Sequence, residues 1–451
     1  MTTAASRRVR GRSATVVMLV VALLLLDGLP SRGRASHVQA AGQRAPVVVN
    51  VWEGWTGLPA KSFHKLVDQY NSGHAGVHIV ALDGADYQKL LTSISGGTPP
   101  DVAELFTDYL GTFANNGVIQ PVDAWAQALK FNLKGFSTPA LSPAYYNGKL
   151  YGIPFMNDCL ALYWNKTVFK AAGLDPNRPP RTLSELLAMA RTLDKVGPGG
   201  KIERMGFDPT GLFHELTWDF GGDFAAANNT KITANTPAAI KALTWEQSIY
   251  QRLGPKNIAA FESGQGNYAS AANPFFRGQL GMTFDGEWLR FFIGHNAPNL
   301  QYGVVSFPYP DGMPQMAGTT AMGGGLWVVP KGAKNATAAM AFIQWLTTRQ
   351  DNQVFYADAL TNLPTLKAIR DSSTYKAALP HNDFFLGLAI GPHAHFFPAT
   401  AVTTQYETDL GKAEQDVLFG KNTPAKALAA VQSKDQAALN SALGKGGGNV
   451  P

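Results

Sequence analysis

Two apolar strand patterns with an amphipathic helix pattern between them constrain the fold of this chain most strongly. The first strand pattern covers 47–52, apolar residues recur at i, i+3, i+4 and i+7 over 63–70, and the second strand pattern covers 77–80. This succession predicts a β-α-β unit, in which a helix carries the chain back so that the two strands pair in parallel. Further strand patterns follow at 102–106, 281–284, 302–306 and 326–330. Together with the helix patterns between them, they predict the α/β fold class.

Several helix starts carry recognisable capping residues. Thr182 and Glu185 have the spacing of a capping box, and Thr236 and Thr423 each precede a proline that suits the first helical position. Asn335 is expected to cap the helix that follows it.

Most of the net positive charge lies in one short N-terminal segment. The 451 residues carry a formal charge of +6, but residues 1–40 hold six Arg and a single Asp. The remaining chain has 32 basic and 31 acidic residues, so its net charge is close to zero. A basic chain would suggest an anionic partner such as nucleic acid. Because the excess positive charge lies in residues 1–40, that reasoning does not apply to the rest of the chain. We therefore expect no nucleic-acid partner.

Residues 1–40 have the pattern of an export signal. Arginines precede a 13-residue apolar run, Ala14–Leu26, and small residues around Ala40 suit cleavage. The run is short for a helix that crosses ~30 Å of hydrocarbon, and an uncleaved signal that anchors the protein is the alternative. Cys159 is the only cysteine, which excludes both an intramolecular disulfide and a lipid-modified cysteine after the signal. We expect an exported protein, in the periplasm or at the outer face of the cell envelope.

Motifs for catalysis and for cofactors are missing from the sequence. It contains no Walker motif, no GxGxxG and no GxSxG, so no cofactor is expected. His393 and His395 could face a metal ion, but a third ligand at suitable spacing is lacking, and no metal site is predicted.

An aromatic residue beside a carboxylate or an amide recurs next to glycine or at the end of a strand pattern. Such clusters lie at 52–55, 104–109, 155–158, 218–223 and 285–288. Sugar rings present apolar C–H faces and a rim of hydroxyls, so a site for them needs aromatic platforms and planar hydrogen-bond acceptors. Because ligands of open α/β sheets bind beyond the carboxyl ends of strands, the clusters favour a carbohydrate-binding cleft.

Four stretches of the chain resemble a known family in their order and spacing. They are 100–102 with 117–123, 146–155 with 162–166 and 172–175, 218–223 with 233–237, and 276–282 with 286–288. On these residues the chain is similar to extracellular solute-binding protein family 1, the carbohydrate receptors of bacterial ABC importers. The resemblance covers nearly the whole chain beyond the export signal.

This resemblance implies a two-lobed α/β fold, the type II periplasmic-binding-protein fold, with the ligand in a cleft between the lobes. Crossings between the lobes are expected near 156–161, 319–325 and 361–366. Lobe 1 would comprise 44–157 plus 325–363, and lobe 2 would comprise 158–324 plus 364–451 with a disordered tail at 444–451. The implied mechanism is closure of a monomeric receptor around its solute, followed by docking on the permease subunits of an ABC transporter.

The resemblance implies thirteen candidate ligand contacts in this sequence. They are Trp52, Glu53, Tyr87, Glu104, Asp108, Asn157, Asp158, Trp218, Asp219, Glu287, Trp288, Gly324 and Tyr406. The glycines at 323–325 would let backbone amides approach the ligand.

The class of solute stays open between a sugar and a phosphodiester. Residues 52–57 and 323–328 also look similar to the glycerophosphodiester-binding branch of the fold. A phosphate group needs cationic or amide donors, whereas the candidate positions are acidic and aromatic, with Arg290 the only nearby base. This composition favours a neutral or amino sugar.

A secreted glycoside-acting enzyme is the alternative of another class. Such enzymes need a pair of carboxylates flanking the scissile bond. Four of the candidate positions could supply that pair: Glu53, Glu104, Asp158 and Glu287. The family resemblance, in contrast, implies binding without chemistry.

Overall fold

The computed structural model describes residues 45–446 apart from 227, 371, 374 and 376–381. The expected export signal at 1–40 lies outside the described residues, as do residues 447–451 of the expected tail. The last helix continues to Gly446, so the first three residues of that tail, 444–446, are helical.

The strands of the described chain are mostly short, apart from two long ones. They are β1 Val47–Trp52, β2 Val77–Leu82, β3 Val102–Phe106, β4 Ile119–Gln120, β5 Tyr145–Tyr146, β6 Lys149–Leu150, β7 Gly152–Asn165, β8 Lys195–Val196, β9 Ile202–Phe207, β10 Leu280–Gly286, β11 Tyr302–Val305, β12 Thr320–Pro330 and β13 Ala394–Phe396.

Helices alternate with these strands, as expected for the α/β class. They are α1 Gly57–Gly73, α2 Tyr87–Ser95, α3 Thr107–Asn115, α4 Asp123–Ala128, α5 Thr138–Leu141, α6 Lys166–Ala171, α7 Leu183–Leu193, α8 Phe213–Asp219, α9 Pro237–Leu253, α10 Pro255–Ser263, α11 Leu289–Asn296, α12 Ala336–Thr348, α13 Gln350–Leu360, α14 Lys367–Arg370, α15 Asn382–Ala389, α16 Thr403–Leu418 and α17 Pro424–Gly446.

The N-terminal β-α-β unit is present as predicted. Strand β1 pairs in parallel with β2 on one side and with β3 on the other. Helix α1 connects β1 to β2 and buries the apolar side chains that the sequence spacing singled out: Phe63, Leu66, Val67 and Tyr70. The buried residues of β1 alternate with exposed ones, because successive side chains of a strand point to opposite faces.

The long strands β7 and β12 join the two halves of the sheet, whose order is β2-β1-β3-β12-β7-β10-β9-β8. Residues 152–159 of β7 pair with β12, and residues 160–164 pair with β10 instead. Strand β12 likewise pairs with β3 through 325–328 and with β13 through 320–322. Each long strand therefore begins in one half of the sheet and ends in the other.

A third segment runs beside these strands where they change partners. Leu363 and Asn157 exchange both backbone hydrogen bonds, with N–O distances of 2.8 and 3.1 Å. The three segments expected to cross between lobes thus lie side by side. Because their backbones are hydrogen-bonded together, this junction is the shared frame of both halves.

Two helix N-caps form as the sequence predicts, and a third does not. The hydroxyl of Thr182 accepts from the amide of Glu185, and the hydroxyl of Thr236 accepts from the amide of Ala239. Asn335 occupies the N-cap position of α12, but its side chain makes no capping bond and donates instead to the carbonyl of Val48, at 2.8 Å. The prediction for Asn335 was wrong because tertiary contact with β1 engages the amide.

Helices α16 and α17 pack against each other near the C-terminus of the described chain. The start of α16 also contacts α3, where the amide of Thr404 donates to the hydroxyl of Thr112 at 3.2 Å. Gly111 faces the backbone of 399–400 so closely that a Cβ there would collide with the carbonyl of Thr400. Among the described residues, no helix is both long and apolar enough to cross a lipid bilayer.

The close approach of β9 to α7 yields a test of the packing. A Cβ on Gly206 would collide with the backbone of Ala190, so Gly206→Ala is expected to lower the free energy of unfolding by about 1–3 kcal/mol. Gly411, within α16, has open space at the Cβ position, and Gly411→Ala should raise that free energy by up to about 1 kcal/mol. Urea unfolding of both variants checks the pair, and equal stabilities would contradict this packing.

Candidate functional site

A cavity of about 450 Å³ lies at the junction of the three crossing segments. Trp55, Phe106 and Asp108 line it from the half of the sheet that contains β1. The crossing segments contribute Met156, Asp158, Gly323, Gly324 and Asn362, and the other half contributes Tyr268, Trp288, Phe291 and Phe292. Both halves of the fold therefore provide walls of one cavity.

A larger groove of about 680 Å³ lies away from this junction, between β9 and α10. Its wall contains a single aromatic residue, Phe261, together with polar residues such as Lys201, Glu203 and Gln279. The junction cavity is the better candidate, because aromatic rings and carboxyl groups converge there and because any relative movement of the two halves would change its shape.

Trp288 and Tyr268 form a fixed aromatic wall on one side of the cavity. The indole N–H of Trp288 donates to the hydroxyl of Tyr268 at 2.9 Å, and that hydroxyl donates to the carboxyl of Asp285 at 2.8 Å. Burial raises the pKa of Asp285 to about 7. The polar atoms of both rings are engaged with the protein, so the rings offer their apolar surfaces to the cavity.

Asp108 and Asp158 are the two carboxyl groups that face the cavity. Burial raises the pKa of each above its ordinary value, and the charge of Asp108 raises the pKa of Asp158 further. The hydroxyl of Thr107 lies 3.5 Å from Asp108 and is its side-chain hydrogen-bond donor. Among the described residues that line the cavity, none is Lys, Arg or His.

Glu53 and Glu104 support the cavity from behind instead of lining it. Glu53 accepts from the amide of Trp55 at 2.6 Å, and Glu104 accepts from the amide of Gly54 at 2.8 Å. Burial raises the pKa of Glu53 to about 9 and that of Glu104 to about 7. These bonds fix the turn after β1 and so hold Trp55 at the cavity.

Trp52 is not on the cavity, although the sequence made it a candidate. It is the last residue of β1, and the ammonium of Lys89 lies 5.6 Å from the centre of its ring. The structure places Trp55 on the cavity instead, because the chain turns between the two residues. Residues 52–55 therefore reach the cavity through Trp55.

Tyr87 and Glu287 position other parts of the wall. The hydroxyl of Tyr87 accepts from the amide of Phe106 at 3.2 Å. Buried Glu287 accepts from the amide of Cys159 at 3.1 Å and from the side chain of Asn362 at 3.0 Å. Glu287 thus joins the end of β10 to two of the crossing segments, and burial raises its pKa.

Gly324 lines the cavity as expected, and its neighbour across the ladder is Asn157. A Cβ on Gly324 would lie 3.0 Å from the side-chain amide group of Asn157 and would crowd it. Asn157 itself is buried with 4% of its surface exposed and does not line the cavity. Its contribution is the backbone pairing with Leu363.

Trp218, Asp219 and Tyr406 do not line the cavity, because all three are buried within the half that contains α8. Trp218 stacks on His395 with ring centres 5.3 Å apart. The hydroxyl of Tyr406 donates to the carbonyl of Phe224 at 3.0 Å. The pKa of Asp219 is raised by burial and then by the neighbouring Glu215.

Several residues of the cavity were not among the candidates. Phe291 and Phe292 follow Trp288 at i+3 and i+4, so their shared helix face could have been recognised from the sequence. Tyr268 lies in a loop far from the candidate clusters, and only the fold brings it to Trp288. Among the described residues, no cluster of His, Cys, Asp and Glu could hold a metal ion.

This architecture is the two-lobed α/β fold of type II periplasmic binding proteins, as its similarity to solved receptor structures shows. A family model for bacterial extracellular solute-binding proteins matches residues 65–381. The chain belongs to this family, whose members act outside the cytoplasm. The resemblance seen in the sequence is confirmed.

Three similar proteins span most of this chain. A putative binding protein of Brucella abortus is 26% identical over 92% of this chain and 97% of its own length. The sn-glycerol-3-phosphate-binding periplasmic protein UgpB of Pectobacterium atrosepticum is 26% identical over 69% of this chain and 72% of its own. A solved structure of CpMnBP1 with mannobiose bound is 31% identical, covers 86% of this chain and 99% of its own, and has a TM-score of 0.77.

The raised pKa of Glu53 leads to a test of the wall behind the cavity. Because the folded state favours the protonated form, the stability contributed by Glu53 is present below its ordinary pKa of 4.5 and is lost as pH rises towards about 9. Glu53→Gln should remove this loss, which is at most about 1.4 kcal/mol per pH unit for one group.

Urea unfolding between about pH 5 and pH 8 checks this expectation. The free energy of unfolding of Glu53→Gln should rise relative to that of the natural protein as pH increases. Asp68→Asn, which changes an exposed carboxyl group on α1, is the control and should run parallel to the natural protein. A parallel profile for Glu53→Gln as well would contradict the proposed protonation of Glu53.

Proposed function

We propose that this protein is the substrate-binding component of an ABC import system and that it binds a sugar or oligosaccharide in the junction cavity. The observation that carries the proposal is the composition of that cavity, in which aromatic rings of both halves surround two carboxyl groups. Rings pack on the apolar faces of a saccharide, and carboxyl oxygens accept from its hydroxyls. The mannobiose-bound relative, which is 31% identical, supports a saccharide ligand.

The proposed mechanism is closure of two lobes around the solute. We propose lobe 1 as 44–157 plus 325–363 and lobe 2 as 158–324 plus 364–451. The change of strand partners within β7 and β12 supports these boundaries, since each strand leaves one half of the sheet there. Ligand contacts from both lobes favour the closed form over the open one, and the closed monomer then delivers its solute to the permease.

The place of action follows from the export signal and the family. We propose that the protein works in the periplasm or at the outer face of the cell envelope, either free or held by an uncleaved signal. Cys159 is buried in β7, and its thiol donates to the carbonyl of Phe385 at 3.4 Å. It is therefore a packed core residue in the structure.

A glycerophosphodiester is the second candidate solute, and the similarity to UgpB favours it. The cavity argues against it, because a phosphate group needs cationic or amide donors. Arg290 does not line the cavity, and its guanidinium packs over the ring of Phe385 at 5.0 Å. A thermal-shift screen against saccharides and glycerophosphodiesters separates the two, since a tight ligand raises the melting temperature.

Binding without chemistry is proposed in preference to glycoside cleavage. Of the four carboxylates weighed for an enzyme, only Asp158 lines the cavity, while Glu53, Glu104 and Glu287 accept from backbone amides behind it. Incubation with candidate glycosides should return the bound sugar unchanged. Turnover that disappears in Asp158→Asn while the sugar still binds would favour the enzyme instead.

Trp288 provides the most direct test of the cavity wall. Trp288→Ala should weaken saccharide binding by about 1.5–3 kcal/mol, because it removes a ring platform and its apolar contact area. Isothermal titration with a saccharide from the screen measures the loss. Trp125→Ala is the matched control, since this half-buried tryptophan lies on α4 outside the cavity. Unchanged affinity of a correctly folded Trp288→Ala would remove Trp288 from the site.

A further inference from the structure

Three of the side-chain hydrogen-bond donors that line the cavity are already engaged by the protein. The indole N–H of Trp288 donates to Tyr268, the hydroxyl of Tyr268 donates to Asp285, and the side-chain amide of Asn362 donates to Glu287. These groups therefore have little left to donate to a ligand. Apart from the indole N–H of Trp55, the side-chain polar groups that remain on the described lining are acceptors such as Asp108 and Asp158, so a solute should bring donors of its own to them.

The available acceptors are carboxyl groups that stand among other acidic groups. The charge of Asp108 raises the pKa of Asp158, which lines the same cavity, and the charge of Asp158 raises the pKa of Glu287 behind it. Glu407 of α16 is a further acidic group that interacts with Asp108, since burial and then the charge of Asp108 raise the pKa of Glu407. The charge of Asp108 also contributes to the raised pKa of Tyr87 and of Tyr109.

Two cations of the described residues, Lys89 and Arg290, are engaged elsewhere, and neither lines the cavity beside Asp108 and Asp158. The ammonium of Lys89 lies over Trp52, and the guanidinium of Arg290 lies over Phe385 and donates from Nε to the carbonyl of Glu287 at 3.3 Å. A buried carboxylate without a counter-charge is costly, so each carboxyl either keeps its proton or meets a cation. A ligand is the remaining source of that cation.

We propose that the solute is a saccharide that carries a positively charged nitrogen, and that this ammonium group binds between Asp108 and Asp158 within the aromatic wall. The proposal rests on the proposed saccharide-receptor function and narrows its substrate class to amino sugars. An ammonium group supplies three donors and the missing positive charge, and aromatic faces such as those of Trp55 and Trp288 attract it further.

The test compares saccharides that share a linkage and differ in charge. Isothermal titration at about pH 6.5 would use the β-1,4-linked disaccharide of glucosamine, its N-acetylated counterpart and cellobiose, with choline as a cation that is not a sugar. We expect the glucosamine disaccharide to bind about tenfold or more tightly than either neutral disaccharide, and choline to bind more weakly than the glucosamine disaccharide.

Two variants connect this preference to the carboxyls. In Asp108→Asn and Asp158→Asn, the affinity ratio of the glucosamine disaccharide to its N-acetylated counterpart should fall at least about fivefold, because the amide keeps the shape and loses the charge. Asp68→Asn, on the exposed face of α1, should keep the ratio. Circular dichroism confirms that each variant is folded.

Three other results would overturn the inference. They differ in whether the proposed saccharide-receptor function would still stand. Neutral disaccharides that bind as tightly as the amine would overturn the preference and leave the saccharide receptor intact. Choline that binds as tightly as the amino sugar would overturn the saccharide part of the inference. If none of the saccharides binds, including a wider screen of oligosaccharides, the proposed function fails together with the inference.

Discussion

The backbone pairing of β7 with β12 is the constraint on which the rest of this structure depends. Both strands run through the two halves of the sheet, and they stay hydrogen-bonded to each other over 152–159 and 322–328. Glycines fit at 323–325, because a Cβ on Gly325 would collide with the ring of Phe155 and one on Gly323 would displace the carboxyl of Asp158. The same small residues leave the space that forms the floor of the cavity. The glycines at 323–325 therefore allow the two strands to pair and also leave space for a ligand.

Buried carboxyl groups around this junction serve two purposes. Glu53, Glu104 and Glu287 accept from backbone amides and so hold the turn after β1 and the crossing segments in place. Asp108 and Asp158 instead face the cavity. Burial raises the pKa of every member of this group, so the unliganded cleft is partly protonated near neutral pH and its electrostatic cost is reduced. The fold thus keeps acidic side chains at the cavity, whose described lining contains no cation.

The sequence predicted the α/β class, the N-terminal β-α-β unit and the type of the fold because these depend on periodic patterns and on ordered motifs. The sequence was less successful in identifying the residues that line the cavity. Asp108, Asp158, Trp288 and Gly324 line it, whereas Trp218 and Tyr406 pack in the core, because a motif marks a place in the chain and not the direction of a side chain. Tyr268 could not have been found, since its contact with Trp288 joins segments that no local pattern relates.

The central claim is that a saccharide binds where the two halves of the fold meet. A crystal structure of the protein with a saccharide identified by the thermal-shift screen tests it most directly. We predict density for a sugar ring in the junction cavity, packed against Trp55 or Trp288 and within hydrogen-bond distance of Asp108 and Asp158. A ligand found in the groove between β9 and α10, with the junction cavity unaltered, would contradict the account.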